Sequence, residues 1–208
     1  MLVKWITCEV DESKISLFST AQEKWGRLRE VDGFLGQIGG WGLHRPNKAC
    51  ILACWSDYAA YKQFMEKHHD EIFENSNQKN TYKTISVALY EKEFDISEAE
   101  FTKVMNKAAI LRIADCLVGS EDQVLFERMQ QEVWNPGMTE STGMLAGVFC
   151  KDPILNGKYL VATVWDHIDS HRRYVENEFP LLQQRSGIKE QAVHVTGNVI
   201  ELEPKWVV

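Results

Sequence analysis

One strand-and-helix signature occurs twice in this chain of 208 residues. CILACWSDYAAYKQFMEKHHDEIF, from Cys50 to Phe73, and LVATVWDHIDSHRRYVENEFPLL, from Leu160 to Leu182, align at a shift of 110 that carries Trp55 to Trp165, Phe64 to Tyr174 and Glu66 to Glu176. The same shift maps Tyr58, Tyr61, Met65 and Ile72 onto Ile168, His171, Val175 and Leu182. Each copy is an apolar run ending in tryptophan, a polar stop, and then apolar residues at helical spacing. A helix face reproduced position by position marks an internal duplication. The division expected is a first half at 1–93, a linker at 94–108 and a second half at 109–208.

The remaining elements repeat as well. Leu2–Val10 (LVKWITCEV) is rich in β-branched residues and reads as a strand covered on both faces, and Ile110–Val118 matches it at a shift of 108, pairing Cys8 with Cys116. Ile15, Phe18, Ala21, Trp25 and Leu28 then recur at helical spacing. Phe18 pairs with Phe126 at 108, Trp25 with Trp134 at 109 and Gly33 with Gly143 at 110, a drift expected to arise from small loop insertions. A glycine-interrupted strand at Phe34–Trp41, a turn at Gly42–Lys48, the Cys50 strand, its helix and an alternating strand at Tyr82–Glu91 complete the half. The order βαββαβ is the ferredoxin-like motif, a four-stranded antiparallel sheet with both helices on one face. One half would leave the second sheet face in water, so two halves laid sheet to sheet are expected. The fold class expected is therefore α+β, a tandem duplication of a ferredoxin-like unit forming an intrachain pseudo-dimeric α+β barrel, monomeric as a pseudo-dimer or further paired as a homodimer.

A formal charge of -7 with dispersed Lys and Arg gives no footprint for nucleic acid or an anionic membrane. No apolar run approaches the roughly 20 residues of a membrane span, and the N-terminus is too short and too charged for a signal peptide. A cytoplasmic protein is expected. Five cysteines, Cys8, Cys50, Cys54, Cys116 and Cys150, sit in apolar runs without CxxC or clustered histidine, so reduced buried thiols are expected, with no metal and no cofactor.

The strand ending in Trp55, the helix with Phe64 and the βαββαβ order resemble the dimeric α+β barrel superfamily of antibiotic-biosynthesis-type monooxygenases, haem-degrading monooxygenases and stress-responsive barrel proteins. Within it, GFLGQIGGW and FMEKHHDEIFEN resemble the uncharacterised YdbC-like proteins of bacilli. The resemblance implies a pseudo-dimeric barrel and no established activity. Haem-degrading members use an Asn on the first strand, a Trp on the second helix and a His beyond it. Here those places hold Thr7 or Asp115, Phe64 or Tyr174, and residues near Glu74 or Gln184. Haem degradation is accordingly not expected, and the Asn, Trp and Arg set of the cofactor-free oxygenases is matched no better.

The sequence does not name a reaction. Its candidates for ligand contact are Trp41 beside Gly39, Gly40 and Gly42, Trp55, Phe64, His68 on the helical stripe, and Tyr174; for acid–base chemistry they are Asp115, His171 and His194. A carboxylate on a covered strand needs a partner, and an imidazole facing it makes an acid–base pair. The bland alternatives are shared aromatic core and hydrogen-bonded boundary histidines. Two functions follow: a barrel that binds a small apolar or aromatic molecule, or acts as a cofactor-independent monooxygenase-like enzyme; and a non-enzymatic stress-related structural or interaction protein whose barrel is filled. An enclosed pocket of about 300 Å³ or more would favour the first.

Overall fold

The computed structural model describes residues 1–188 and 192–208. Two compact units emerge: Met1–Leu89 with Ile200–Val208, and Tyr90–Val199. They are not consecutive stretches, because strands β4 (Tyr82–Asp95) and β8 (Val193–Leu202) each begin in one unit and end in the other.

The first unit contains β1 (Leu2–Val10), α1 (Ile15–Glu23), β2 (Phe34–Gly42), β3 (Arg45–Trp55), α2 (Tyr58–Lys67) and α3 (His69–Ser76). Its antiparallel sheet runs β4-β1-β3-β2-β8, with Leu2 opposite Trp55 and Gly40 opposite Leu202. The second contains β5 (Ile110–Val118), α5 (Gln123–Met129), α6 (Asn135–Thr139), β6 (Met144–Lys151), β7 (Lys158–Trp165), α7 (Ile168–Arg173) and α8 (Phe179–Ser186), preceded by the short α4 (Phe101–Val104). Its sheet runs β8-β5-β7-β6-β4, with Ile110 opposite Trp165.

The duplication extends to backbone detail. Gly33 and Gly143 both have positive φ, +77° and +89°, where a side chain would collide with Ala60 in one unit and Ser170 in the other. Their carbonyls accept from Ser56 N (2.7 Å) and Asp166 N (2.9 Å), and a register shift follows each, at Phe34/Gly36 and Met144/Ala146. Asp57 caps α2 by accepting from Ala60 N at 2.8 Å, whereas His167 caps α7 through Nδ1 and Asp169 N at 3.2 Å.

Two differences from the sequence reading have physical causes. The turn between β2 and β3 is confined to Leu43 and His44, with Pro46 and Asn47 exposed in the first residues of β3, where proline is tolerated. The drift from 108 to 109 falls inside a helix rather than a loop. Gln22 and Gln130 still match at 108, and the π-helical turn Gln130–Trp134 then inserts one residue before Trp134.

Each unit has its own core between sheet and helices. Leu2, Leu28, Trp55, Phe64 and Ile72 pack together in the first, with a second cluster around Phe18 and Trp206. In the second unit Trp165, Tyr174, Phe126, Phe149 and Leu182 form one continuous cluster.

Candidate functional site

Between the sheet and the helices of the first unit lies a cavity of about 400 Å³. Its floor is a row across three strands. Lys4 on β1 stands opposite Ala53 on β3, which stands opposite Gln37 on β2, and directly opposed residues share a face. Two residues on, Trp55 lies on the same face and stacks on Phe64 of α2, with ring centroids 4.7 Å apart and an interplanar angle of 29°. His69 and Tyr61 lie over it, and the half-exposed Ile85 and Val87 of β4 border it. Ala53 is the small residue in the middle of this floor.

Two polar groups are held there against their preference. Lys4 is 8% exposed, takes part in no ion pair among the described residues, and has no Asp or Glu beside it on the cavity wall. Its Nζ sits 5.2 Å from the centre of the Tyr61 ring. Burial lowers its pKa from 10.5 to about 8. The indole Nε1 of Trp55 is buried without a hydrogen-bond partner among the described residues. Other tryptophans are served: Trp25 donates to Gln78 Oε1 at 2.9 Å, Trp206 to Ser19 Oγ at 3.1 Å and Trp165 to Thr163 Oγ1 at 3.0 Å. The first-half counterpart of Thr163 is Ala53, which has no acceptor to offer. The Trp25 bond belongs to a buried chain that continues from Gln78 Nε2 to Gln22 Oε1 at 2.8 Å.

The second unit has a cavity in the same place, of about 200 Å³. Arg112 replaces Lys4 and lies 5.9 Å from the Tyr174 ring centre and 5.8 Å from that of Phe179, whose first-half counterpart is His69. Trp165 is fixed by Thr163, and His171 meets it edge-on at 5.5 Å. Burial and then Glu178 raise the Tyr174 pKa, against the lowering effect of Arg112. Tyr174 itself is core packing outside the cavity lining.

Of the residues singled out by sequence, Trp55 and Phe64 line the first cavity together. His68 does not. Helix α2 ends at Lys67 and α3 restarts at His69, with His68 between them at φ -129° and ψ -27°. That break advances the register by one residue, so His68 is exposed and His69 faces the cavity, 5.7 Å from both Trp25 and Phe64. Trp41 packs against Phe18 and the C-terminal Trp206 at 5.7 and 5.4 Å, outside the cavity. Its neighbouring glycines serve backbone contact rather than a ligand. A side chain on Gly40 would collide with the Glu201 carbonyl, and one on Gly39 would meet Cys50 O at 2.8 Å and Trp206 at 3.1 Å.

The acid–base grouping of Asp115, His171 and His194 is not assembled. Ala114 and Cys116 line the second cavity, so alternation turns Asp115 to the opposite face of β5. There the buried Tyr90 has its pKa raised by desolvation first and the Asp115 charge second. His171 lies on the helix side with Trp165. His194 alternates with the cavity-lining Val193 and Val195, so it too turns away from the cavity and from His171, and it is exposed. The five cysteines are buried, and burial raises Cys8, Cys50 and Cys116 from 9.0 to about 12, which keeps them as thiols. Among the described residues no cluster of three His, Cys, Asp or Glu is placed to hold a metal, and no helix is long and apolar enough to cross a membrane.

Sequence reasoning passed over Lys4, Ala53 and the Gln22–Gln78 pair. The signal available for Lys4 was the basic residue that interrupts both copies of the first strand, LVKWITCEV and ILRIADCLV.

Comparison with known proteins agrees with this division. Residues 2–90 match a family described as a domain of unknown function (DUF4937), a stretch that contains every lining residue of the larger cavity, from Lys4 to Val87. Over 95 residues the chain is 39% identical to the uncharacterized protein YdbC of Bacillus subtilis (strain 168), covering 45% of this chain and 80% of that one. Among solved structures, a Fusobacterium nucleatum protein considered a monooxygenase matches at a TM-score of 0.71 and 14% identity, covering 97% of this chain and 91% of that one. Another from Lactobacillus acidophilus, also considered a monooxygenase, matches at 0.70 and 12%, covering 100% and 97%. The fold they share with this chain is the α+β one expected, a tandem duplication of a ferredoxin-like unit in the pseudo-dimeric α+β barrel class.

Proposed function

For a chain that belongs to the family of the uncharacterised Bacillus subtilis protein YdbC, we propose that the cavity of the first half binds a small, flat, largely apolar molecule. The observation that carries this reading is the space itself: about 400 Å³ lined by Trp25, Trp55, Phe64 and Tyr61, within the size range of small-molecule sites. A filled half would hold no such volume. Apolar and aromatic walls supply affinity by excluding water, while the few polar groups set orientation. Thermal-shift screening of the full chain with aromatic and quinone-like compounds tests it. Stabilisation that disappears in Ala53→Leu is expected, and a panel without a single stabilising compound would count against the site.

A second reading, cofactor-independent monooxygenase-like oxidation of the bound molecule, draws on the fold held in common with proteins considered monooxygenases. Oxygen uptake by the protein with each compound that binds would decide it. Haem turnover is outside both readings. Thr7, Phe64 and Glu74 stand where an Asn, a Trp and a His would be needed. Haem with reductant should keep its Soret band, and a protein-dependent loss of the band would show the opposite.

A further inference from the structure

A lysine in an apolar cavity calls for an explanation of its charge. Lys4 is buried, and among the described residues none brings a carboxylate to it. The cavity-lining groups that titrate are Cys8 from β1, Tyr61 from α2, His69 from α3 and Tyr82 from β4; β2, β3 and α1 contribute only uncharged ones. Among the described residues, the ring of Tyr61 is what compensates the charge. Beside Lys4 across the sheet, Ala53 opens space, and it leaves Trp55 with an unused donor. In the second half the matching indole donates to Thr163.

On the reading that this cavity binds a small molecule, we infer that the molecule carries an anionic oxygen, a carboxylate or phenolate on an aromatic body, which pairs with the Lys4 ammonium. An oxyanion supplies the counter-charge that Lys4 lacks, and hydrogen bonds between charged partners are the strong ones. The repeat separates this role from a lysine acting as an amine nucleophile. Its counterpart Arg112 cannot form an imine, so the property common to the two positions is positive charge.

The test is calorimetric titration of the full chain with naphthalene-2-carboxylate and with neutral naphthalene-2-methanol. The carboxylate should bind tighter by roughly tenfold or more. Lys4→Met should erase that preference while keeping the neutral ligand's affinity, and Lys4→Arg should keep the preference. The preference should also fade as pH rises through about 8 in the native protein and persist in Lys4→Arg. Equal affinity for the two ligands in the native protein, or a preference that survives Lys4→Met in a variant with a normal unfolding transition, overturns the inference while leaving the cavity as a binding site. Binding of neither ligand overturns both. Borohydride trapping of naphthalene-2-carbaldehyde on Lys4, with no preference for the carboxylate, would assign the residue to amine chemistry instead.

Discussion

The two halves place the same tryptophan over the same sheet position and treat it in opposite ways. Trp165 is locked by Thr163 and lies outside the lining of its half's cavity of about 200 Å³, while Trp55, without a partner for Nε1 among the described residues, lines one of about 400 Å³. One methyl-for-hydroxyethyl difference, Ala53 against Thr163, separates a satisfied core residue from an unsatisfied one. A buried donor without a partner costs stability, and so does a buried charge without a counter-ion. Both costs fall in one half, around one empty space. Elsewhere the halves agree down to their positive-φ glycines. The second half has unpaired buried polar atoms of its own, the Tyr174 hydroxyl and Glu178 Oε2, but neither residue lines its cavity, so what distinguishes the first half is that Lys4 and Trp55 both border the cavity.

Substituting the paired tryptophans should give the largest separation. Trp→Phe removes similar bulk at each site, but in Trp165→Phe it also leaves Thr163 unpaired. Trp165→Phe should therefore destabilise by about 1 to 2 kcal/mol more than Trp55→Phe in chemical denaturation. Equal losses would mean that the two indoles are equivalent after all.

Lys4→Met should stabilise the protein by on the order of 1 kcal/mol at neutral pH, because it removes an unpaired buried charge. The pH dependence has a definite sign. With its pKa lowered to about 8, folded Lys4 releases its proton before the unfolded chain does at 10.5, so its contribution to stability rises with pH between those values. The buried thiols act oppositely above 9.0, since their pKa values are raised, so pH 8 to 9 is the window in which native protein and Lys4→Met differ through Lys4. A difference in stability between native protein and Lys4→Met that stays constant across that window would remove Lys4 from the account.

Ala53→Thr transplants the second-half solution. It should supply Trp55 with an acceptor and stabilise by a few tenths to about 1 kcal/mol, while weakening any ligand of the cavity. The smallest effect is expected at the adjacent histidines. His68→Ala, at an exposed position, should stay within about 0.5 kcal/mol and leave ligand affinity unchanged, whereas His69→Ala should reduce affinity. The reverse order would mean that the helix runs unbroken through this segment.

Periodicity carried the architecture because every strand and the helices that cover each sheet are written twice, and agreement between copies filters out accident. It also placed Trp55 and Phe64 on one wall. It failed at His68 because a helix break advances the register without any glycine or proline to announce it. It misassigned the glycines around Trp41 because the groups they admit, the Glu201 carbonyl and Trp206, come from the far end of the chain. Asp115 looked like half of a pair until the parity of β5 put it on the opposite face from His171. Lys4 was invisible for a different reason: its isolation is a property of six other elements, none of which brings a carboxylate to it.

Stoichiometry on matched variants tests the contrast between the halves most directly. Naphthalene-2-carboxylate titrated into the full chain should saturate at one site, lost when Ala53→Leu fills the larger cavity and kept when Ala114→Leu fills the smaller. Two sites per chain, or a single site abolished by Ala114→Leu and untouched by Ala53→Leu, would contradict it.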